Sequence, residues 1–382
     1  MTYSNEFVTQ VAKQIGVKVD NLFLYWKGRV ALYAYFRSLG LSVGDEVIIP
    51  GLTCVVVANA VLYAGARPVY ADIRRDTLTL DVASVAKKIS PRTKVIVIQN
   101  TFGLSADVDA LVELAHKSGI TVIEDCTHGF GGFYQGRANG TFADAAFFST
   151  QWNKPFSTGL GGILLVNNPE MAIKLREVNQ ELIQPSWAEL FSLQLSLFSR
   201  SHVLTDSNYW RMVKLFRLLS KFGLVTGSSS AGELDSAVKP DSYFKAMSNM
   251  QAKVGLSGIE FLPAVLERRR NAALAYRSVM EKHDKWHVSG THDLNNAHLK
   301  FPVLVRNRNE FFKLAENAQI RLSDWFISPI HPVETDFDQW YLDPKEIPVA
   351  AEISSHLLTI NTEVSEPKFV CDFLEENISL LL

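Results

Sequence analysis

Asp125 closes the apolar run TVIEDC, and Ser149 closes DAAFFST. Lys154 follows Ser149 five residues later in STQWNKPFSTGLGG, ahead of a glycine-rich turn. Gly28 and Arg29 stand at the expected start of a helix, where free backbone N–H groups and the helix dipole favour a phosphate. A lysine, a carboxylate, and hydroxyl and backbone donors for a phosphate are the groups that pyridoxal phosphate (PLP) requires. The lysine forms an imine, and the carboxylate keeps the pyridine nitrogen protonated so that the ring accepts electrons. Pattern alone leaves a second reading open, in which Asp125 caps a helix and Lys154 is a solvated loop residue.

These residues are positioned by two alternating kinds of segment between Gly28 and Asn168. EVIIP (46–50), RPVYADI (67–73), KVIVIQN (94–100), TVIEDC (121–126), DAAFFST (144–150) and GGILLVNN (161–168) read as buried strands. Helical patterns over 29–39, 53–65 and 106–118 lie between several of them. Such alternation implies a mainly parallel sheet covered on both faces, with ligands bound at the carboxyl ends of the strands. From about 169 to 240 the pattern turns helical, and TGSSSAGE (226–233) reads as a loop. A long helix is expected over about 245–282, then a smaller α+β domain containing HLKFPVLV and NEFFKLAENA.

The chain has 382 residues, 47% hydrophobic and 20% charged, which is ordinary globular composition. A net charge of −2 supplies no basic field for nucleic acid. Cys54, Cys126 and Cys371 are too scattered for a disulfide framework or a metal site. Cys126 reads as a small buried residue rather than a reactive thiol. The N-terminal MTYSNEFVTQVAKQIG lacks the apolar core of a signal peptide, and no run of 18 apolar residues occurs. A cytoplasmic protein is expected.

The stretches 44–73, 90–111, 119–150 and 153–168 resemble the DegT/StrS-type sugar aminotransferases, with weaker similarity over 247–277 and 301–332. The resemblance implies a PLP fold type I protein. Its large domain, 1–250, would hold a mainly parallel seven-stranded sheet between helices and a helical insertion at about 183–240. A long helix and a small α+β domain would occupy 251–382. Lys154 matches the imine-forming lysine; relatives that dehydrate sugars carry histidine there. Asp125 matches the partner of the pyridine nitrogen, Ser149 the phosphate serine, and Gly28 and Arg29 the phosphate turn. Glutamate would load the cofactor with an amino group, and a nucleotide-linked keto sugar would receive it, for amino-sugar or surface polysaccharide biosynthesis. A homodimer is implied. The rival readings are a non-catalytic regulator on the same fold, or a different PLP reaction on a cyclic ketone.

Several positions depart from the family pattern. Cys54 stands where an aromatic ring commonly stacks on the cofactor. His128 replaces a glutamine near the cofactor hydroxyl and is expected to make that position sensitive to pH. Arg29 replaces a small hydroxyl residue and is expected to bind phosphate by charge. Phe244 takes the place of an asparagine that the partner subunit offers to the phosphate, with Lys245 as a substitute. His331 aligns with a substrate-proximal stretch, although a histidine beside prolines is commonly structural. Trp325 reads either as core or as a sugar platform. In 208–224, Arg211, Lys214, Arg217 and Lys221 recur at helical spacing among apolar residues. Such a helix can lie on a membrane surface, so 205–224 is a candidate peripheral contact; a helical hairpin packed on the protein is the favoured reading.

Overall fold

The computed structural model describes residues 2–204, 208–212, 215, 218, 233, 236–290 and 293–382. Most of the 205–224 candidate helix lies outside the described residues, as does the 226–233 loop apart from Glu233. The chain opens with α1 (Tyr3–Ile15), β1 (Leu22–Tyr25) and α2 (Gly28–Ser38). Next come β2 (Glu46–Pro50), β3 (Thr53–Cys54), α3 (Val55–Tyr63), β4 (Arg67–Ala71), α4 (Val82–Lys88), β5 (Thr93–Gln99) and α5 (Val108–Lys117). Then follow β6 (Thr121–Asp125), the hairpin β7 (Phe133–Tyr134) and β8 (Arg137–Ala138), β9 (Ala145–Ser149), β10 (Gly162–Val166) and α6 (Pro169–Val178).

Among the described residues, seven strands form one sheet in the order β1-β10-β9-β6-β5-β2-β4. β4, β2, β5, β6 and β9 are mutually parallel, whereas β10 is antiparallel to both β9 and β1. This is the α/β, mainly parallel arrangement expected from the sequence. Successive side chains enter opposite layers. Val47, Ile49, Val95, Val97 and Ile123 join the core containing α2 and α3, while Ile48, Ile96, Ile98 and Val122 pack with α4 and α5. Burial on both faces is why these strands read as continuous Val/Ile runs.

Among the elements that escape the sequence reading are α1, β1 and α4. α1 looks polar because only one stripe, Phe7, Val11 and Ile15, is buried. Thr2 caps its first turn, and Gly16 closes it at φ 80°.

Two further helices described are α7 (Trp187–His202) and α8 (Asn249–Lys282). The long helix starts four residues later than expected, because Ser248 and Gln251 form a reciprocal capping box. On α7, Trp187, Phe191, Leu195 and Phe198 fall on one face and are exposed. The C-terminal part holds β11 (Lys300–Leu304), α9 (Arg308–Asn317), β12 (Leu322–Ser323), β13 (Ile330–His331), α10 (Pro348–His356), β14 (Leu357–Asn361) and α11 (Lys368–Glu376). β11, β14 and β12 form an antiparallel sheet that shares a core with the second half of α8, through Ala272, Tyr276 and Met280. β13 leaves this sheet to pair in parallel with β3, placing His331 opposite Cys54. The Thr53 N–H donates to the Pro329 carbonyl at 2.8 Å and reinforces that joint. Residues 325–332 thereby close over the carboxyl ends of the large sheet. No helix among the described residues is long and apolar enough to cross a membrane.

Candidate active site

The ends of β5, β6 and β9 open into a cavity of about 170 Å³. β6 ends in two adjacent carboxylates, and strand alternation separates their tasks. Glu124 points away and accepts from the N–H groups of Gly140, Phe142 and Ala143 at 2.9, 3.0 and 3.3 Å. Asp125 lines the cavity, and its Oδ1 accepts from the Thr127 N–H at 3.0 Å. Burial pushes the Asp125 carboxyl above the usual carboxylate range, opposed by hydrogen bonds from Thr127 and by the Lys154 charge. Thr127 is its hydrogen-bond donor among the described residues. A buried carboxylate this short of donors suits a cationic ring nitrogen.

Lys154 lies on the loop between β9 and β10. The Thr150 and Trp152 N–H groups donate to Gly161 and Gly159, at 3.0 and 3.1 Å, and fold this loop back on itself. Buried Arg269 of α8 holds the loop from outside, donating to the carbonyls of Pro155 at 3.3 Å and Lys154 at 3.4 Å. The Lys154 Nζ sits 4.7 Å from the ring centroid of Trp325. Burial, aided by the Arg29 charge, lowers the Lys154 amine to about 8, while Asp125 and Cys54 resist. At pH 7 roughly a tenth of it is neutral and nucleophilic, far more than for a solvated lysine. The solvated-loop reading of Lys154 therefore fails.

At the other end of the cavity, α2 begins at Gly28 with no side-chain cap from Lys27. A helix start of this kind, facing the cavity, favours an anion. Glycine leaves room for close approach at two places here. A Cβ on Gly28 would stand 3.0 Å from the Ser149 Cβ, and one on Gly162 would collide with the Lys27 carbonyl oxygen at 2.3 Å. These glycines let the helix start press against β9 and β10, beside the Ser149 hydroxyl. The Arg29 side chain takes a different part from the expected one. Its guanidinium donates to Glu233 at 2.9 Å, and Lys27 Nζ reaches the same carboxylate at 3.4 Å. That charge is matched by a buried carboxylate. An uncapped helix start, a serine, a donor-poor buried carboxylate and a depressed lysine fit PLP, and these residues would hold it.

His128 is buried, and its Nδ1 accepts from the Phe102 N–H at 3.1 Å, which leaves Nε2 as the donor. It stacks between Trp325, at 5.3 Å and 11°, and Phe102, at 6.1 Å and 10°. Burial, with the charges of Lys154 and Lys300, pushes its pKa well below the ordinary histidine value. The expected pH sensitivity is thus corrected: His128 stays neutral and offers one fixed N–H, much as a glutamine would. Cys54 lines the cavity and supplies no ring. The aromatic surface comes instead from Trp325. His331 also lines the cavity, with Nδ1 accepting from the Ile327 N–H at 3.4 Å, and burial lowers it to about 4.

Phe244 and Lys245, expected to act on the partner subunit's cofactor, do not line the cavity of their own chain. Phe244 packs on Tyr25 and Tyr33, and Lys245 Nζ pairs with Glu189 near the start of α7 and faces Trp26. Cys126 is fully buried against Asn100, as expected of an inert thiol. Gln99 and Glu233 were missed. Gln99 carries the same signal as Asp125, a polar residue ending an apolar strand, but its amide is committed to Leu52, Thr53 and Thr101. Glu233 has no local signal at all.

Residues 2–365 match the DegT/DnrJ/EryC1/StrS aminotransferase family. The chain belongs to that family. It is 38% identical over 166 residues to the GDP-perosamine synthase of Escherichia coli O157:H7, covering 44% of each protein. It is 37% identical over 154 residues to the L-glutamine:2-deoxy-scyllo-inosose aminotransferase of Streptoalloteichus tenebrarius, 40% of this chain and 36% of that one. These matches span less than half the length of either relative. The fold also matches the Streptococcus pneumoniae protein Spr1654 in its PLP form, with TM-score 0.73 and 20% identity over 99% of this chain and 90% of that one.

Proposed function

We propose that this family member is a PLP-dependent aminotransferase that moves an amino group from L-glutamate to a keto sugar carried on a nucleotide. The observation that carries the reading is the convergence of a depressed lysine, a donor-poor buried carboxylate and an uncapped helix start on one cavity. When bound, PLP supplies an electron sink for charge that develops on the donor carbon. The start of α2 at Gly28 and Arg29 and the Ser149 hydroxyl would hold its phosphate. Asp125 would pair with its ring nitrogen and keep it protonated. The His128 Nε2–H would serve as a donor to its hydroxyl, and Trp325 shields the lysine from water. Lys154 Nζ takes the proton from the donor Cα, a task suited to a base near pH 8. His331 faces the acceptor. A cytoplasmic homodimer belongs to the same reading.

The test is mass spectrometry of the products formed from glutamate and a panel of nucleotide-linked 3-keto and 4-keto sugars. Formation of no amino sugar from any of them overturns the reading. The match to an inosose aminotransferase favours one second reading, a free cyclic ketone as acceptor with glutamine as donor. Including that pair in the panel separates the two. Residues 205–224 lie mostly outside the described residues, and for them the favoured reading stays a helical hairpin packed on its own domain or on the dimer partner. The exposed Trp187, Phe191 and Phe198 on neighbouring α7 favour a membrane contact as the rival. Salt-reversible sedimentation with anionic vesicles, abolished by changing Arg211, Lys214, Arg217 and Lys221 to glutamine, would replace packing with membrane binding.

A further inference from the structure

Three constraints meet on the peptide that carries Lys154. Asn153, just before it, adopts a left-handed φ of 65°, which a residue with a side chain keeps only where its surroundings fix it. Pro155, just after it, disfavours the helical region for Lys154. The carbonyls of Lys154 and Pro155 both face Arg269 in the middle of α8. Its Nη2 donates to the first at 3.4 Å and its Nη1 to the second at 3.3 Å. Around this grip, Arg200 of α7 donates to the Asn153 Oδ1 at 3.1 Å, and the Gln251 amide at the start of α8 donates to the Leu160 carbonyl. Arg269 is only 3% exposed, so its charge needs a partner close by. Glu363, just past β14, supplies it, with Oε2 2.7 Å from Nη2. Arg268 reaches the other oxygen of Glu363 at 3.9 Å from a more exposed position. The Arg269 Nε has no hydrogen-bond partner among the described residues, so Nη1 and Nη2 make the whole grip. Nη2 serves Glu363 and the Lys154 carbonyl together, and a guanidinium is planar and rigid. The orientation that Glu363 gives this plane is therefore the orientation in which the Lys154 peptide is held.

We propose that Arg269 is a positioning residue for Lys154, and that Glu363 acts on Lys154 through it. Neither side chain lines the Lys154 cavity, so both work from outside the reacting groups. A lysine side chain turns about several single bonds, and its amine stays on target only if its backbone end is fixed. A carboxylate beside the small sheet thus reaches, through one guanidinium, the base carried by the large sheet. The effect on proton transfer rests on the aminotransferase reading, whereas the effect on how Lys154 sits does not.

Four PLP-loaded proteins test this: wild type, Arg269→Lys, Glu363→Gln and the double variant. Arg269→Lys keeps the buried charge but replaces a two-nitrogen fork by a point charge. It should slow the cofactor absorbance change at saturating glutamate by roughly tenfold or more, as for a small misplacement of an aimed group. The half-saturating glutamate concentration should stay within about threefold, since the groups that bind the donor are untouched. The visible circular dichroism of the bound cofactor, which reads its tilt against the protein, should change as well. Glu363→Gln should give the same changes in smaller measure. Added to Arg269→Lys it should change nothing further, because it acts through that residue. Far-UV dichroism and cofactor content show whether each variant is folded. Glu363 is 43% exposed, so its variant decides the matter if Arg269→Lys does not fold. A wild-type rate and wild-type cofactor dichroism in the deciding variant overturn the proposal. A Glu363→Gln effect of equal size in both backgrounds overturns its action through Arg269. If wild type responds to neither glutamate nor glutamine, the aminotransferase reading fails by itself, and the cofactor dichroism of the variants still decides the positioning role.

Discussion

The wall of the Lys154 cavity made by strand ends and the wall made by residues 325–332 hold their groups by different means. Asp125 and Ser149 are the last residues of β6 and β9, and β6 is paired on both sides, Asp125 lying between Gln99 and Phe147. A backbone bonded on two sides cannot tilt far, so the charged groups there have fixed aim. The opposite wall is held by a two-residue pairing of β13 with β3 and by ring contacts of Trp325 and Phe326 with His128 and Phe102. It contributes an aromatic surface and one neutral histidine. Charge chemistry sits on the rigid wall, while the aromatic wall tunes and shields it. This is the division expected when catalytic geometry matters more than contact area.

The largest effect that would sharpen this contrast lies on the loop after β9. Lys154→Ala or Lys154→Arg should abolish turnover, by at least roughly 10³-fold, with the fold retained. Borohydride reduction and peptide mapping should place the cofactor on Lys154; label on another lysine would overturn the site. Asp125→Asn should still bind PLP yet lose roughly 10²–10³-fold in kcat, as for loss of one aimed electrostatic group. Near wild-type turnover in that variant would make the carboxylate structural and break the contrast.

His128 spans the two walls and should show an intermediate effect. Its folded pKa lies far below the unfolded value, so it contributes no inflection to kcat/KM between about pH 6 and 8. Because the unfolded chain takes up this proton first, the stability His128 supports is present above its unfolded pKa and is lost as pH falls below it. His128→Gln should stay within a few-fold of wild type, and His128→Leu should lose roughly tenfold. An inflection near pH 6.5 that vanishes in His128→Gln would show that the ring titrates normally. The smallest change belongs to the aromatic wall. Trp325→Leu removes a cation–π contact of about 0.5–1 kcal/mol, so the Lys154 amine should fall by about half a unit below its value near 8. The pH dependence of Lys154 labelling in the cofactor-free protein measures this, and an unchanged or raised midpoint would show that Trp325 does not stabilise the cation.

Much of the fold was legible because parallel strands buried on both faces leave long Val/Ile runs, and because β6 and β9 end in polar residues that have no place inside a sheet. Asp125 and Ser149 could be picked out for that reason, Lys154 by its place ahead of a glycine-rich turn and Gly28 by its place at a helix start. The sequence does not show where the neighbouring carboxylate goes: the pleat sends Glu124 to the 140–143 loop and Asp125 to the cavity. Nor could it reveal that Glu233 matches the charge of Arg29 across more than 200 residues. The same holds for Phe102, which fixes the His128 tautomer, and for Trp325, which supplies the ring that Cys54 lacks. Local pattern reports which groups a strand end carries, because periodicity and burial act over a few residues. Which way those groups point, whether they are charged and what faces them depend on contacts between distant segments, and only the assembled tertiary structure decides those.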